Sequence, residues 1–222
     1  MGGRPALVLT IDQRGSRRGE DAVPALLERL ARIAPEPLRP FERTAGDEAQ
    51  GVLDDPATVV DVVLALAEEG RWSTGVGVGP VRRPLPPSTR AGAGPAFEAA
   101  RAAVTAAKGV REGLAVRGPD GPSGAEDARA SPFEEGPATA VLDAETALLL
   151  LVGLRARRSA AGREAVALAE RGLGPREAAQ HLGVSPQAVS QRLRAAGWSA
   201  EERTRPLAAR LLARAARAAE SA

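Results

Sequence analysis

The segment 174–198 constrains the fold more than any other part of the chain. It carries proline, glycine and serine at positions that begin and end short helices. Pro175 suits the first turn of a helix, where its missing N–H leaves no bond unmade, and Gly183 suits the left-handed residue that ends that helix. Ser185 followed by Pro186 is typical of the start of a second helix. The segment therefore predicts two short helices joined by a tight turn.

The side chains of this segment divide between an inward and an outward face. The inward residues are small or apolar: Ala178, Ala179, Leu182, Val189 and Leu193. The outward residues of the second helix are Gln187, Ser190, Gln191 and Arg194, and no carboxylate lies among them. Such side chains hydrogen-bond base edges and phosphates, and with Arg176 and Ser185 they are the residues that we predict to contact DNA.

The spacing of Ala179, Gly183, Val189 and Leu193 resembles that of helix-turn-helix domains in bacterial transcription regulators. The resemblance implies double-stranded DNA as a partner and a homodimer, since operators are often palindromic. Two other interpretations stay open at this point. The segment could be a helical hairpin that only packs, or a helix-turn-helix that binds protein.

Charge is distributed unevenly along the chain, although the formal net charge is only +2. From Arg155 to the C-terminus there are 13 arginines against 6 glutamates, whereas acids outnumber bases in the preceding part. This asymmetry favours a nucleic-acid-binding part joined to something else. The absence of cysteine excludes disulfides and thiolate metal sites. No leader-like segment and no long uninterrupted apolar run is found, so we expect a cytoplasmic protein without a membrane partner.

Apolar periodicity in residues 1–118 predicts alternating strands and helices. Strands are predicted at 6–11, 41–44, 50–53, 72–79 and 114–117, and helices at 21–33, 56–70 and 95–108. The β-α-β-β-α-β order is that of ferredoxin-like domains, in which an antiparallel sheet carries its helices on one face. The predicted class is therefore α+β, and the first strand is expected in the centre of the sheet.

The strand at 72–79 has glycine at every second position from Gly75 to Gly79. Alternate residues of a strand share a face, so one face of this strand is nearly bare backbone. A helix, a neighbouring side chain or a ligand could lie close against it.

The remaining chain is predicted to be a linker and an all-helical domain. Residues 119–137 are rich in proline, glycine and acids and lack apolar periodicity, which predicts a linker between domains at 1–118 and 138–222. Helices are predicted at 139–157, 162–171 and 200–219, with Ser199 and Glu202 forming a capping box. The apolar stripe of the last helix could pack on residues 148–152 of its own chain or of a second copy.

Three carboxylates are predicted to meet at one edge of the sheet. Asp12 ends the first strand, and Asp47 and Glu48 lie at the tip of the hairpin in the neighbouring strand. Two adjacent carboxylates can hold Mg²⁺ together with the phosphates of a nucleotide. The alternative is that all three are solvated turn residues.

Four short motifs resemble the SatD family in order and spacing: TIDQRGSR, FERTAGDEAQGVL, STGVGVGPV and GAGPAFEAAR. That family is distantly similar to the palm-like catalytic domains of class III nucleotidyl cyclases and GGDEF proteins. The resemblance implies that Asp12 and Asp47 bind metal and that Arg101 stabilises a transition state. Phe97 stands where the cyclases have asparagine, and the expected base-reading lysine is missing. Arg14, with Arg17 and Arg18, could bind an anion without metal.

These departures favour ligand binding over turnover. We expect a DNA-binding transcription regulator whose N-terminal palm-like domain senses a ligand, such as a nucleotide, or mediates dimerisation. The ligand-binding candidates are Asp12, Arg14, Asp47, Glu48 and Arg101. The alternative is a Mg²⁺-dependent nucleotidyl cyclase or transferase that the helix-turn-helix only localises. The first domain could also be a scaffold alone, and no catalytic residue is assigned because the sequence contains no nucleophilic triad and no P-loop.

Overall fold

The computed structural model describes residues 5–15, 20–119 and 136–221, and the predicted anion-binding Arg17 and Arg18 lie outside them. Within these residues the chain forms five strands and eight α-helices. The elements in order are β1 (Leu7–Gln13), α1 (Val23–Ile33), β2 (Arg39–Arg43), β3 (Glu48–Leu53), α2 (Pro56–Glu69), β4 (Trp72–Val78), α3 (Pro95–Ala107), β5 (Leu114–Arg117), α4 (Pro137–Ala156), α5 (Ala160–Glu170), α6 (Pro175–Leu182), α7 (Pro186–Ala195) and α8 (Trp198–Glu220).

The strands form one mixed sheet in the order β2-β3-β1-β4-β5. β1 runs antiparallel to both β3 and β4, and β2 runs antiparallel to β3. The central position predicted for the first strand is thus confirmed, as is the mixture of helices and strands. The sheet is not wholly antiparallel, because α3 connects β4 to β5 by a crossover and these two strands are parallel.

Helices cover both faces of the sheet, so the prediction of helices on one face is wrong. Leu7, Leu9 and Ile11 of β1 lie in one buried cluster with residues of α1 and α2. The alternate residues Ala6 and Val8 lie in a second cluster with Ala96, Phe97 and Ala100 of α3. β1 is therefore buried on both sides, which explains its continuous apolar sequence.

The bare face of the glycine-rich strand is occupied by a helix. A Cβ atom on Gly75 would lie 2.6 Å from the carbonyl oxygen of Ala100, and one on Gly77 would lie 2.9 Å from the Cα atom of the same residue. Both distances are far below van der Waals contact. The sequence allowed a helix, a side chain or a ligand against this face, and the structure shows the helix α3. The backbone of α3 lies so close to β4 that only glycine fits at these two positions.

Helices α4 and α8 pack on α2 and share its buried cluster. Leu148, Leu151 and Val152 of α4 lie in that cluster with Leu212 of α8. Of the two alternatives for the last helix, the structure thus shows packing on its own chain. Ion pairs join Arg155 to Glu201 and, at 3.9 Å, Asp143 to Arg214, so the two helices run antiparallel. In the part of the chain that the structure describes, α4 alone has the length and composition of a membrane span. One face of α4 packs in the protein core, while Leu150 is exposed.

Helices α5, α6 and α7 have a small core of their own. It consists of Leu168, Ala178, Ala179 and Val189, with Leu173, Leu182, Val184 and Leu193 partly buried around it. One buried cluster thus joins α4 and α8 to the five strands and α1 to α3, which together we call the sheet layer, while α5 to α7 pack among themselves. The proposed division at residues 119–137 stays a prediction, and most of that segment lies outside the described residues.

The helix ends match the sequence prediction in the segment 174–198 and depart from it just beyond. Gly183 ends α6 with a φ of 63°, and the Ser185 hydroxyl accepts a hydrogen bond from the N–H of Ala188. The prediction of a capping box at Ser199 is wrong. α8 already begins at Trp198, because Gly197 adopts a left-handed φ of 67° and serves as its N-cap.

Candidate functional site

The outward face of α7 carries most of the residues predicted to contact DNA. Val189 is fully buried and fixes the helix against its neighbours, while Gln187, Gln191 and Arg194 are exposed. Ser190 is half-buried, and its hydroxyl donates a hydrogen bond to the carbonyl of Pro186 at 3.0 Å. The face therefore presents two amides and one guanidinium at helical spacing, without a carboxylate among them.

The remaining predicted contacts lie at the starts of the two helices. Arg176 is exposed in the first turn of α6. Ser185 is exposed at the N-cap of α7, where its Oγ atom accepts the N–H of Ala188 at 3.2 Å and its hydroxyl proton stays available to an outside acceptor. Glu177, the acid nearest to Arg176 in sequence, accepts the backbone N–H of Gly174 at 2.9 Å and so caps its own helix.

A buried ionic cluster lies where α7 ends and α8 begins, and the sequence did not predict it. From the sequence alone, the basic run Arg155, Arg157 and Arg158 fits either a phosphate-facing surface or a solvated helix end. Instead the side chains of Arg155 and Arg158 are buried, and only Arg157 is exposed. Both buried guanidinium groups bond to Glu201, which has no exposed surface.

Arg155 connects four helices. Its Nε atom donates to both carboxylate oxygens of Glu201 at 3.1 Å, and its terminal nitrogens bond Glu68 of α2 at 2.7 Å and Glu170 of α5 at 2.9 Å. Burial by itself lowers the pKa of Arg155, but the hydrogen bonds and charge of Glu201, with Glu68 and Glu170, outweigh burial and raise that pKa above its ordinary value. Arg155 thus keeps its charge, and its contacts tie α5 and α8 to the sheet layer.

A weak signal for this cluster exists in the sequence. Glu201 stands seven residues before Ala208 and fourteen before Ala215, so it falls on the buried stripe of α8. A glutamate in such a position needs a cationic partner, because a lone buried carboxylate is costly. The partner cannot be identified from spacing, since Arg155 is more than forty residues away and on another helix.

The predicted carboxylate edge forms, but one carboxylate is already paired. Asp12 lies directly across from Glu48 in the pairing of β1 with β3. The Oδ2 atom of Asp12 accepts a hydrogen bond from Nζ of Lys108 at 2.8 Å, and Oε1 of Glu48 accepts one from the Thr44 hydroxyl at 2.5 Å. Asp47 lies in the preceding turn, where its carbonyl accepts the N–H of Gln13.

A Mg²⁺ site at Asp12 and Asp47 stays a prediction. No cluster of three or more carboxylate, imidazole or thiol groups that could hold a metal ion occurs among residues 5–15, 20–119 and 136–221. A cation at Asp12 would also have to displace the ammonium group of Lys108, the only lysine in the chain. This ion pair could not be predicted from the sequence, because Lys108 follows α3 and reaches Asp12 only when α3 packs on the sheet.

The other candidates taken from the family resemblance lie apart from Asp12. Arg14 donates to the carbonyls of Val110 at 2.8 Å and of Ala107 at 3.3 Å, where α3 ends, and to the hydroxyl of Ser73. Its donors are therefore used inside the protein. Arg101 is exposed on α3, about 10 Å along the helix axis from Lys108. Phe97 is buried against Gly92 and offers no hydrogen bond.

A cleft of about 800 Å³ separates α1 and α2 from α5 and the start of α8. Charged side chains dominate its lining, and Arg155 of α4 bonds Glu68 on one side and Glu170 on the other. Arg205 of α8 adds an ion pair with Asp61 of α2. Trp198 and Ile33 supply the larger apolar surfaces. Because distant segments build this cleft, no local motif indicates it.

No protein-family model, no curated protein and no solved structure matches the chain.

Proposed function

We propose that this protein is a cytoplasmic transcription regulator that binds double-stranded DNA through α6 and α7 as a homodimer. One observation carries the proposal. α7 is held rigidly by its buried Val189 and by the Ser185 cap, and it presents Gln187, Gln191 and Arg194 to solvent. Amide and guanidinium side chains on an exposed helix are the groups that read base edges in the major groove.

The sheet layer is proposed to sense a ligand or to mediate dimerisation. The contacts between the layers support this assignment. Arg155 bonds Glu68 of the sheet layer and Glu170 of α5, so a shift of α2 acts directly on the helices that carry α7. The cleft beside these pairs has the size of a small-molecule site. A nucleotide is the ligand that the SatD-like motifs suggest.

The contacts at the carboxylate edge favour regulation over catalysis. Asp12 is neutralised by Lys108, Arg14 caps the end of α3, and Phe97 is buried where the cyclases have an asparagine. A metal-dependent nucleotidyl transfer needs free carboxylates at that position. The proposed regulator needs none.

The experiment that tests the proposal is a selection of bound fragments from genomic DNA by the full chain, with and without nucleoside triphosphates present. We expect the bound fragments to share a recurrent sequence, which should be palindromic if the protein dimerises. The enrichment of this sequence should change when a nucleoside triphosphate is present. A parallel assay incubates the protein with Mg²⁺ or Mn²⁺ and each nucleoside triphosphate. Turnover that is lost in both Asp12→Ala and Asp47→Ala would overturn the proposal in favour of the enzyme.

A further inference from the structure

The last helix carries a row of arginines that neither the core nor the ionic cluster uses. Arg203, Arg210 and Arg217 follow one another at intervals of seven residues, which is close to two helical turns. All three are exposed. Arg214 lies between them on the same side, and its guanidinium is 3.9 Å from Asp143 of α4. We call Arg203, Arg210, Arg214 and Arg217 the arginine stripe.

The arginine stripe points directly away from the protein. The buried residues of α8 are Glu201, Ala208, Leu212, Ala215, Ala216 and Ala219. At 100° per residue these positions centre on one side of the helix, and Arg203, Arg210 and Arg217 fall on the opposite side. The stripe is about 21 Å long, which is the length of roughly six base pairs of duplex DNA.

The charge of the stripe is balanced only in part, because Arg214 pairs with Asp143 of α4. Between Glu202 and Glu220, α8 contains no carboxylate. Arginines at i, i+3 and i, i+4, such as Arg210, Arg214 and Arg217, repel one another and destabilise a helix. An exposed helix that serves only solubility usually intersperses both signs of charge. The arrangement therefore fits a polyanion whose charges repeat along a line.

We propose that α8 binds the phosphate backbone of the same duplex that α7 reads, through Arg203, Arg210 and Arg217. This inference rests on the proposed function. Only Ala196 and Gly197 separate α7 from α8, and Arg158 bonds both the carbonyl of Ala196 and the carboxylate of Glu201. The stripe is thus held rigidly relative to the reading helix, and guanidinium groups bind phosphate oxygens in bidentate pairs.

The test compares two triple variants of the full chain in DNA binding. One variant replaces Arg203, Arg210 and Arg217 by glutamine. The matched control replaces Arg71, Arg82 and Arg111, three exposed arginines of the sheet layer, and so changes net charge equally. Binding to a labelled duplex of about 30 base pairs, roughly three helical turns, is measured by fluorescence anisotropy over a range of salt concentrations.

We expect the slope of log K against log salt to become shallower by about 2 to 3 in the stripe variant, because each lost phosphate contact removes about 0.9. At low salt its affinity should fall at least about tenfold, while the control keeps the slope of the unmodified protein.

Equal slopes in the two variants would overturn the proposal. If Gln191→Ala still weakens binding in that case, the reading role of α7 stands and only the stripe is rejected. No DNA binding by the unmodified chain would reject both.

Discussion

Arg158 donates a hydrogen bond from Nε to the carbonyl oxygen of Ala196 at 2.9 Å, so a buried guanidinium is fixed to the residue where α7 ends. The same side chain bonds Glu201 in the first turn of α8. The orientation of the proposed DNA-reading helix is therefore set from its C-terminal end by a charge in the protein interior. The ionic cluster joins this point to Glu68 of α2 through Glu201 and Arg155, so a chain of side-chain hydrogen bonds connects the sheet layer to the end of α7.

Replacing Glu201 by glutamine is expected to destabilise the protein by about 3–5 kcal/mol. The substitution removes the carboxylate that faces both Arg155 and Arg158 and leaves two buried cations without their main partner. Urea unfolding followed by circular dichroism measures the change. Glu202→Gln is the matched control, because Glu202 is the next residue and is exposed. Equal midpoints for the two variants would show that the cluster contributes nothing to stability.

Adding a methyl group at Gly75 of β4 is expected to weaken the packing of α3 on the sheet. In Gly75→Ala the new Cβ atom would lie 2.6 Å from the carbonyl oxygen of Ala100, so the helix backbone has to move, at a cost of about 1–3 kcal/mol. Gly153→Ala is a control of opposite sign, since Gly153 lies inside α4 with open space around it, and alanine there should stabilise by about 0.5–1 kcal/mol. Thermal unfolding of the two variants distinguishes the effects. A neutral Gly75→Ala would contradict the close approach.

Glu42 is expected to make folding sensitive to acid. Partial burial raises its pKa, but hydrogen bonds from the hydroxyls of Ser88 and Thr89 and from the N–H of Arg90 outweigh that effect and lower the pKa below its ordinary 4.5. A carboxylate with a depressed pKa in the folded state stabilises the protein above the unfolded pKa, and the benefit is lost as pH falls through the folded pKa. Urea midpoints measured from neutral pH to below 4.5 should fall less steeply in Glu42→Gln than in the unmodified protein. Parallel curves would contradict the expected linkage.

The sequence predicts local structure here better than it predicts sites. The buried strand β1 and the turn at Gly183 follow from patterns of a few residues, because strand burial and helix ends depend on near neighbours. The pairing of Asp12 with Lys108 depends on residues 96 positions apart, and that of Arg155 with Glu201 on residues 46 positions apart. Such partners are set by how whole helices pack, which periodicity does not encode. The sequence therefore predicts that Asp12 and Glu48 lie side by side, as the strand pairing shows, but it does not predict the ion pair of Asp12 with Lys108.

The outward face of α7 is expected to supply the contacts that give DNA binding its affinity. Gln191→Ala and Arg194→Ala should each weaken binding to the selected DNA sequence by about 1–3 kcal/mol, because each removes one side chain that can reach a base edge or a phosphate. Both residues are exposed, so the fold should be unaffected. Arg111→Ala is the control for Arg194, since it removes an exposed arginine from the sheet layer.

The two variants should also differ from each other in competition assays with the selected and a scrambled duplex. Loss of a base contact at Gln191 lowers affinity for the selected sequence and leaves affinity for the scrambled one nearly unchanged, whereas loss of a phosphate contact weakens both. Anisotropy at one fixed salt concentration separates these patterns, since salt changes the phosphate term. If both substitutions and the control leave affinity for the selected duplex unchanged, α7 does not read DNA, and its exposed amides must serve another partner or none.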